Sequence, residues 1–171
     1  MKNQTKNLCF AAVMAALIYV FTTYIHIPMP SHGGYTHVGD AFVYLSGALL
    51  ATPYGMAAGA VGAALADLLT GFGIWAPASV IIKALTAFCF TAKAEKILCR
   101  RNLLAIIPAF VLCVGGYYLY DAVVISNFVA AAAGIPGYCV QVVASTICYL
   151  AFGALLDRSK FKDRIAGGAE V

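Results

Sequence analysis

Charged residues are scarce in this chain. Asp, Glu, Lys and Arg together make up 11% of its 171 residues, whereas 63% are apolar. A soluble globular domain carries about 25% charged and about 45–50% apolar residues. The mean hydropathy is positive, at +0.88, and shows the same excess of apolar residues. The composition therefore predicts an integral membrane protein, and six spans of about 20 residues would leave no room for a sizeable soluble domain.

Motifs for nucleotide binding, catalysis and disulfide bonding are also missing. No phosphate loop of the form G-x-x-x-x-G-K-[ST], no H-E-x-x-H and no G-x-S-x-G occurs, so we predict no ATPase domain, no enzyme and no cofactor. The six cysteines are scattered without a C-x-x-C pair, which argues against a disulfide scaffold. The spacings of His26, His32 and His37 fit no common zinc pattern, so we predict no metal site.

Long apolar runs dominate the chain instead. They are rich in Ala and Leu and lack period-2 alternation, which favours helices over strands. We predict an all-α bundle of six transmembrane helices, forming one membrane domain over residues 1–171. The predicted helices are 8–27, 38–53, 54–72, 77–95, 103–126 and 136–157. The first run resembles a signal peptide, but its core is long for one and five further spans follow.

Positive charge is distributed unevenly along the chain. Ten of the eleven Lys and Arg residues lie before the first predicted helix, around the connection between the fourth and fifth, or after the sixth. The loops 28–37, 73–76 and 127–135 contain neither residue type. By the positive-inside rule, both termini of this multi-pass membrane protein are predicted to be cytoplasmic. The net charge of +4 is therefore explained by the orientation of the helices in the membrane, and no nucleic-acid partner is predicted.

Small residues form a repeated pattern in the first predicted helix. Ala11, Ala12, Ala15 and Ala16 make two overlapping A-x-x-x-A steps. Residues four apart share a helix face, and small side chains let two helix backbones approach closely. This face is predicted either to pack inside the bundle or to dock onto another membrane subunit. The glycines of the third predicted helix favour internal packing.

Four ionisable residues interrupt the predicted spans: Asp40, Asp67, Lys83 and Asp121. Each costs at least about 2.5–3.5 kcal/mol near a helix centre, so they must face the bundle interior or a cavity. The predicted topology places all four in the extracellular half. Because the inner half lacks such groups, we predict a pocket open to the outside rather than a continuous pore. A structural ion pair between Lys83 and Asp67 is also expected.

The loop 28–37 is predicted to lie over the mouth of this pocket. Gly33–Gly34 offers a hinge, and Tyr35 offers a flat surface for stacking on a ring. Aromatic and amide groups around an outward pocket favour binding of a small polar ring compound. The predicted binding residues are Tyr35, His37, Asp40, Trp75, Lys83, Tyr117, Tyr120, Asp121, Asn127 and Gln141.

Several segments resemble the S components of energy-coupling factor (ECF) transporters, in the riboflavin-transporter-like subgroup. They are Gly39-Asp40-Ala41, the run from Gly62 to Leu69, Ala76-Pro77-Ala78 and Ile81-Ile82-Lys83. The resemblance implies a six-helix subunit that captures a vitamin and works with a transmembrane coupling subunit and two cytoplasmic ATPases. It also implies that the Ala face of the first helix, above all Ala11 and Ala15, meets the coupling subunit in the cell membrane of a prokaryote. These motifs recur in members with different substrates, so they indicate the scaffold more than the ligand.

The substrate expected from the resemblance and from the Tyr, Asn, Gln and Asp side chains is a small hydroxylated heteroaromatic vitamin. A vitamin B6-like pyridoxine comes first, followed by hydroxymethylpyrimidine, riboflavin or pantothenate. The alternative is a self-sufficient secondary transporter or channel. The chain shows no obvious internal repeat, and its polar groups do not continue to the cytoplasmic side, which argues against that alternative.

Overall fold

A computed structural model describes residues 2–28, 35–125 and 127–162 of the chain. Within these residues it contains eight α-helices and one two-stranded hairpin. The helices are α1 (Lys2–Tyr24), α2 (Asp40–Leu49), α3 (Thr52–Leu69), α4 (Ala76–Cys89), α5 (Arg100–Leu104), α6 (Ile106–Ile125), α7 (Phe128–Ala131) and α8 (Ile135–Arg158). The strands are β1 (His26–Pro28) and β2 (Tyr35–His37). The predicted all-α class is confirmed.

Among the residues that the structure describes, three helical segments are long and apolar enough to cross a membrane. They are Gln4–Tyr24, Arg100–Val124 and Phe128–Arg158. Shorter apolar helices cover Asp40–Leu49 and Gly73–Cys89, and α3 adds 18 residues rich in Ala and Gly. The predicted second and fourth helices are therefore longer than α2 and α4, while the count of six spans stays a prediction.

The end of α4 differs from the predicted boundary at residue 95. The helix stops at Cys89, and Phe90 is extended. The buried Asn102 side chain accepts a hydrogen bond from Thr91 N–H (2.8 Å) and donates to the Thr91 carbonyl oxygen (3.0 Å). The Asp157 carboxylate accepts the N–H group of Ile97 (2.8 Å). These side chains form hydrogen bonds with backbone groups that a longer helix would have bonded within itself. The periodicity of the sequence does not reveal such side-chain contacts.

Close packing between α1, α3 and α4 depends on glycine. A Cβ atom at Gly62 would lie 2.6 Å from the Ala15 carbonyl oxygen, and one at Gly59 would lie 3.0 Å from the Lys83 carbonyl oxygen. Any side chain at Gly62 would therefore push α1 and α3 apart. The predicted internal packing of the α3 glycines is confirmed.

The alanines of α1 fall into two pairs on different faces. Ala11 and Ala15 are buried inside the bundle, whereas Ala12 and Ala16 are exposed. The sequence predicted docking through all four alanines, with Ala11 and Ala15 foremost. That prediction needs correction, because these two are buried and α3 approaches α1 closely where Gly62 meets the Ala15 carbonyl oxygen.

The connection between α1 and α2 is a hairpin, where the sequence predicted a loop. Its strands are antiparallel, with His26 opposite His37 and Pro28 opposite Tyr35. The Thr36 hydroxyl donates to the Gly137 carbonyl oxygen (3.1 Å), which attaches the hairpin to the start of α8. The predicted hinge at 33–34 and the histidine at 32 lie outside the described residues. The hairpin brings β2 to the end of the bundle where α4 and α8 begin.

Candidate binding site

A buried ion pair lies at the centre of the bundle. Lys83 Nζ is 2.7 Å from Asp40 Oδ1 and 2.9 Å from Asp40 Oδ2, and both side chains are at most 2% exposed. Gln141 Nε2 also donates to Asp40 Oδ2 (2.9 Å). The pair joins the start of α2 to α4, and Gln141 connects it to α8. A buried charge pair requires such extra hydrogen bonds to offset the loss of hydration.

The predicted pair between Lys83 and Asp67 is wrong. Lys83 packs at the level of Gly59 on α3, as the short distance from its carbonyl oxygen shows. Asp67 lies eight residues further along α3, which corresponds to about 12 Å at 1.5 Å per residue. The carboxylate that lies within reach of the Lys83 ammonium is Asp40, because α2 begins beside the middle of α4.

Asp67 instead holds the hairpin. Its Oδ1 accepts a hydrogen bond from the Tyr35 hydroxyl (2.6 Å), while Oδ2 is buried without a hydrogen-bond partner among the described residues. Burial and the nearby Asp67 carboxylate raise the pKa of Tyr35, so the hydroxyl keeps its proton and donates. The contact fixes β2 against the end of α3.

Asp121 anchors two aromatic side chains from different elements. Its Oδ1 accepts a hydrogen bond from Trp75 Nε1 (2.8 Å), and its Oδ2 accepts one from the Tyr138 hydroxyl. The carboxylate is fully buried. Asp121 thus ties the start of α4 and the start of α8 to α6, and it fixes the orientation of both rings.

Tyr117 and Tyr138 form a stacked pair. Their ring centroids are 5.2 Å apart with an interplanar angle of 22°. The Tyr117 hydroxyl shares a hydrogen bond with Ser79 Oγ (2.8 Å). Lys83 Nζ lies 4.8 Å from the centroid of the Tyr117 ring, a cation–π distance. The stacked pair therefore lies beside the ion pair, with Tyr117 next to the Lys83 ammonium.

These groups line a small, partly open cavity. Its volume is about 30 Å³, enough for about two water molecules. Eight residues line it: Tyr35, His37, Asp67, Trp75, Ser79, Tyr117, Tyr138 and Gln141. Four aromatic rings, one carboxylate and one amide therefore converge at one end of the bundle. This combination suits stacking on a polar ring and directional hydrogen bonding at its edge.

Most of the predicted binding residues meet at this cavity. Five of them line it, namely Tyr35, His37, Trp75, Tyr117 and Gln141. Three more do not line the cavity but contact residues beside it: Asp40, Lys83 and Asp121. Asp40 accepts a hydrogen bond from Gln141 and pairs with Lys83, and Asp121 accepts a hydrogen bond from Trp75. The latter three are placed to orient the lining rather than to contact a ligand.

The remaining two predicted residues do not line the cavity. Asn127 is exposed and caps α7, where its Oδ1 accepts the N–H groups of Val129 and Ala130. The Tyr120 hydroxyl donates to the Ile74 carbonyl oxygen. The predicted binding residues omit three that line the cavity: Asp67, Ser79 and Tyr138. Ser79 lies four residues before Lys83, which places both on one face of α4.

His37 is buried and electrically neutral at pH 7. Its Nδ1 accepts a hydrogen bond from Gly39 N–H (3.1 Å), so the ring proton resides on Nε2. Burial lowers the pKa of His37 to about 4, while the Asp40 carboxylate acts in the opposite direction. His37 therefore offers the cavity a neutral ring.

Fold and cavity together define the class of protein. The described chain is all-α, it contains helices able to cross a membrane, and a polar cavity lies between its helices. It is a helical membrane protein with a small polar cavity between its helices.

Comparison with known families places the chain within that class. Residues 2–158 match the family model described as ECF-type riboflavin transporter, S component. The chain belongs to this family, whose members are substrate-binding membrane subunits of vitamin transporters. The resemblance drawn from the segment between Gly39 and Lys83 is confirmed. The family is one of transporter subunits and not of enzymes.

A curated relative from Pyrococcus woesei shares a shorter region. It is described as an uncharacterized protein in the gap 3′ region, and it is 38% identical over 66 residues. The match covers 39% of this chain and 44% of the relative. The chain thus aligns with less than half of the relative's length, and the relative's description names no substrate.

Proposed function

We propose that the chain captures a water-soluble vitamin or vitamin precursor from outside the cell. In this proposal it passes the solute to a transmembrane coupling subunit driven by two cytoplasmic ATPases. The observation that carries the proposal is the small cavity whose aromatic walls are oriented by hydrogen bonds to Asp121. An enzyme would need an activated nucleophile or an acid–base pair, whereas the ionisable side chains here hold other side chains in place.

The proposed topology has six spans with both termini in the cytoplasm of a prokaryotic cell. The cavity is formed where α4 and α8 begin, while the lysines and arginines cluster at the start of α1, between α4 and α5, and after α8. The two features therefore occupy opposite ends of the bundle. With the basic end inside, the cavity faces outward.

The proposed substrate is a small hydroxylated heteroaromatic ring, with a pyridoxine-like compound first and hydroxymethylpyrimidine next. A cavity of about 30 Å³ must widen for any vitamin, and a single ring demands the smallest displacement of Tyr35. Riboflavin, which the family description names, has three fused rings and demands more. Pantothenate has no ring to stack on Tyr117 and Tyr138.

Docking to the coupling subunit is proposed for the exposed pair of α1. Ala12 and Ala16 continue a line of residues spaced by four with Leu8 and Val20, which are 64% and 42% exposed. These four form the outer stripe of α1. Small residues in the centre of such a stripe let a partner helix approach closely. Ala11 and Ala15 serve internal packing instead.

Ligand identification tests the proposal directly. The purified chain would be examined by mass spectrometry for bound small molecules, and then titrated calorimetrically with pyridoxine, hydroxymethylpyrimidine, riboflavin and pantothenate. We expect tight binding of one ring compound by the chain alone, without solute accumulation in vesicles that contain only this chain. Accumulation in such vesicles would establish the alternative, a self-sufficient secondary transporter or channel.

A further inference from the structure

Asp67 lines the cavity with a carboxylate oxygen that no donor of the described chain reaches. The residue lies on α3 and is 5% exposed. Its Oδ1 accepts the Tyr35 hydroxyl (2.6 Å), whereas its Oδ2 is buried without a hydrogen-bond partner among the described residues. A buried carboxylate oxygen without a donor is costly, so a donor group on a ligand would stabilise this position.

The end of the bundle that contains the cavity has more acidic than basic residues. Ten of the eleven Lys and Arg residues lie near the start of α1, between α4 and α6, or at and after the end of α8, and the eleventh is Lys83. Three aspartates line the cavity or contact its lining: Asp40, Asp67 and Asp121. Lys83 contacts both oxygens of Asp40, so its charge compensates that carboxylate and not Asp67. A ligand with a positive charge would compensate the remaining excess.

Four hydrogen-bond donors of the lining are already bonded to carboxylates. They belong to Tyr35, Trp75, Tyr138 and Gln141. A ligand rich in acceptors must compete for these groups, whereas a ligand with an N–H donor meets Asp67 Oδ2. His37 is neutral at pH 7, so it offers no charge to an anion.

Aromatic side chains make up half of the lining residues. They are Tyr35, Trp75, Tyr117 and Tyr138. The faces of aromatic rings attract cations, and Trp does so most strongly. One such contact exists within the protein, since Lys83 Nζ lies 4.8 Å from the centroid of the Tyr117 ring. Several aromatic rings beside a carboxylate are a combination that recognises organic cations.

We infer that the cavity binds its ligand as an organic cation and that Asp67 selects for the positive charge. A protonated ring nitrogen or an ammonium group donates to Asp67 Oδ2, while the ring of the ligand lies against the aromatic side chains. The inference rests on the proposed function, because it names the charge class of the solute that this cavity captures. Pyridoxine and hydroxymethylpyrimidine each contain a ring nitrogen that can accept a proton, whereas riboflavin is uncharged and pantothenate is an anion.

The test uses the single tryptophan of the chain as its reporter, because Trp75 lines the cavity. The purified full-length chain is titrated with three one-ring probes of similar size and different charge, namely benzylammonium, benzyl alcohol and benzoate. Trp75 fluorescence gives the affinity of each. Benzylammonium is expected to bind at least about tenfold more tightly than benzyl alcohol, and benzoate is expected to bind most weakly.

Asp67→Asn removes the negative charge but keeps an oxygen that can accept the Tyr35 hydroxyl. The preference for benzylammonium over benzyl alcohol should fall about tenfold in this variant, with little change in the affinity for benzyl alcohol. Glu95→Gln is the matched control. It removes one negative charge from an exposed position between α4 and α5, and it should keep the full preference.

Tyr35→Phe separates a binding role of Asp67 from a structural role. It removes the hydroxyl group that Asp67 holds but leaves the carboxylate in place. The affinities for benzylammonium and benzyl alcohol should therefore shift alike, and their ratio should persist. Loss of the ratio in Tyr35→Phe together with its retention in Asp67→Asn would assign Asp67 to the attachment of the hairpin alone.

The inference is also overturned by equal affinity for benzylammonium and benzyl alcohol, by tightest binding of benzoate, or by no response of Trp75 to benzylammonium. The four vitamins of the preceding section are titrated in parallel. A vitamin that binds the Asp67→Asn variant as tightly as the unaltered chain would contradict the inference and leave the proposed function intact. A benzylammonium response without any bound vitamin or co-purified solute would contradict the proposed function and leave the charge preference of the cavity intact.

Discussion

At the scale of single residues, the buried carboxylates Asp40, Asp67 and Asp121 each hold specific side chains in place. Asp40 holds Lys83, Asp67 holds Tyr35, and Asp121 holds two aromatic rings. Each carboxylate joins elements that are far apart in the sequence. Because a charged group inside a bundle is costly without partners, each arrangement constrains the position of several helices.

The first prediction tests the corrected ion pair. Lys83→Met should lower the free energy of unfolding by about 3–5 kcal/mol, because it leaves a buried carboxylate without its cation. Adding Asp40→Asn should recover part of that loss, since the neutral amide no longer needs the ammonium. Thermal or denaturant unfolding in detergent measures both.

The control for this cycle is Asp67→Asn in the Lys83→Met background. Asp67 contacts Tyr35 and not Lys83, so the two losses should add. Recovery with Asp67→Asn and strict additivity with Asp40→Asn would restore the pairing predicted from the sequence.

The second prediction concerns the lining of the cavity. Gln141→Ala should weaken ligand binding about 5- to 150-fold, because a ligand group left without its hydrogen bond costs about 1–3 kcal/mol. Tyr117→Ala should also weaken binding, whereas Tyr117→Phe should have little effect, since it keeps the stacking surface. Calorimetry on the purified subunit gives these affinities.

Asn127→Ala is the matched control for the cavity variants. Asn127 caps α7 and is exposed, so this change should affect stability and leave affinity unchanged. Full affinity in Gln141→Ala together with a loss in Asn127→Ala would move the site away from the cavity.

At the scale of elements, α1 presents two alanine pairs with different surroundings. The third prediction compares Ala15→Leu with Ala16→Leu. Ala15→Leu should lower stability by about 1–3 kcal/mol, because Ala15 is buried where α1 and α3 pack closely and a larger side chain would overpack the site. Ala16→Leu should keep stability and ligand affinity but abolish uptake in cells that carry the coupling module.

Uptake assays and unfolding measurements on both variants decide the assignment of the two faces. Normal uptake in Ala16→Leu would refute docking through the outer stripe of α1. Unchanged stability in Ala15→Leu would show that α1 does not pack on α3 as described.

The stability of the folded protein depends on pH through His37, which lies in the hairpin. The unfolded chain protonates this residue near its ordinary pKa of about 6.5, whereas the folded protein resists protonation down to about pH 4. The folded state is therefore fully stabilised above pH 6.5 and loses stability as the pH falls. The fourth prediction is a loss of roughly 2 kcal/mol at pH 5 relative to pH 8.

His37→Asn provides the comparison for this measurement. Its side-chain oxygen can accept the Gly39 N–H group, as in an Asx turn, but it does not titrate. The variant should retain its unfolding temperature between pH 8 and pH 5 better than the unaltered chain. Parallel losses in the two proteins would assign the pH dependence to other groups.

At the scale of the whole molecule, the polar cavity and the basic end lie at opposite ends of the bundle. The fifth prediction is that a fluorescent protein fused after Val171 is fluorescent in bacterial cells, whereas alkaline phosphatase at the same position is inactive. Both results follow from a cytoplasmic C-terminus. The reverse pair of results would turn the cavity toward the cytoplasm and contradict capture from outside.

The sequence by itself determined the class of the molecule, since few charges and long apolar runs permit only helices in a membrane. It also predicted that polar groups such as Asp121 and Gln141 face inward, because they are costly among apolar residues, and both side chains are buried. The choice of partners was decided by tertiary structure alone. Lys83 pairs with Asp40 rather than Asp67, and Ala15 is buried while Ala16 is exposed. Both outcomes depend on which helices contact each other and on their relative positions along the bundle axis. Helix periodicity in the sequence contains no information about either.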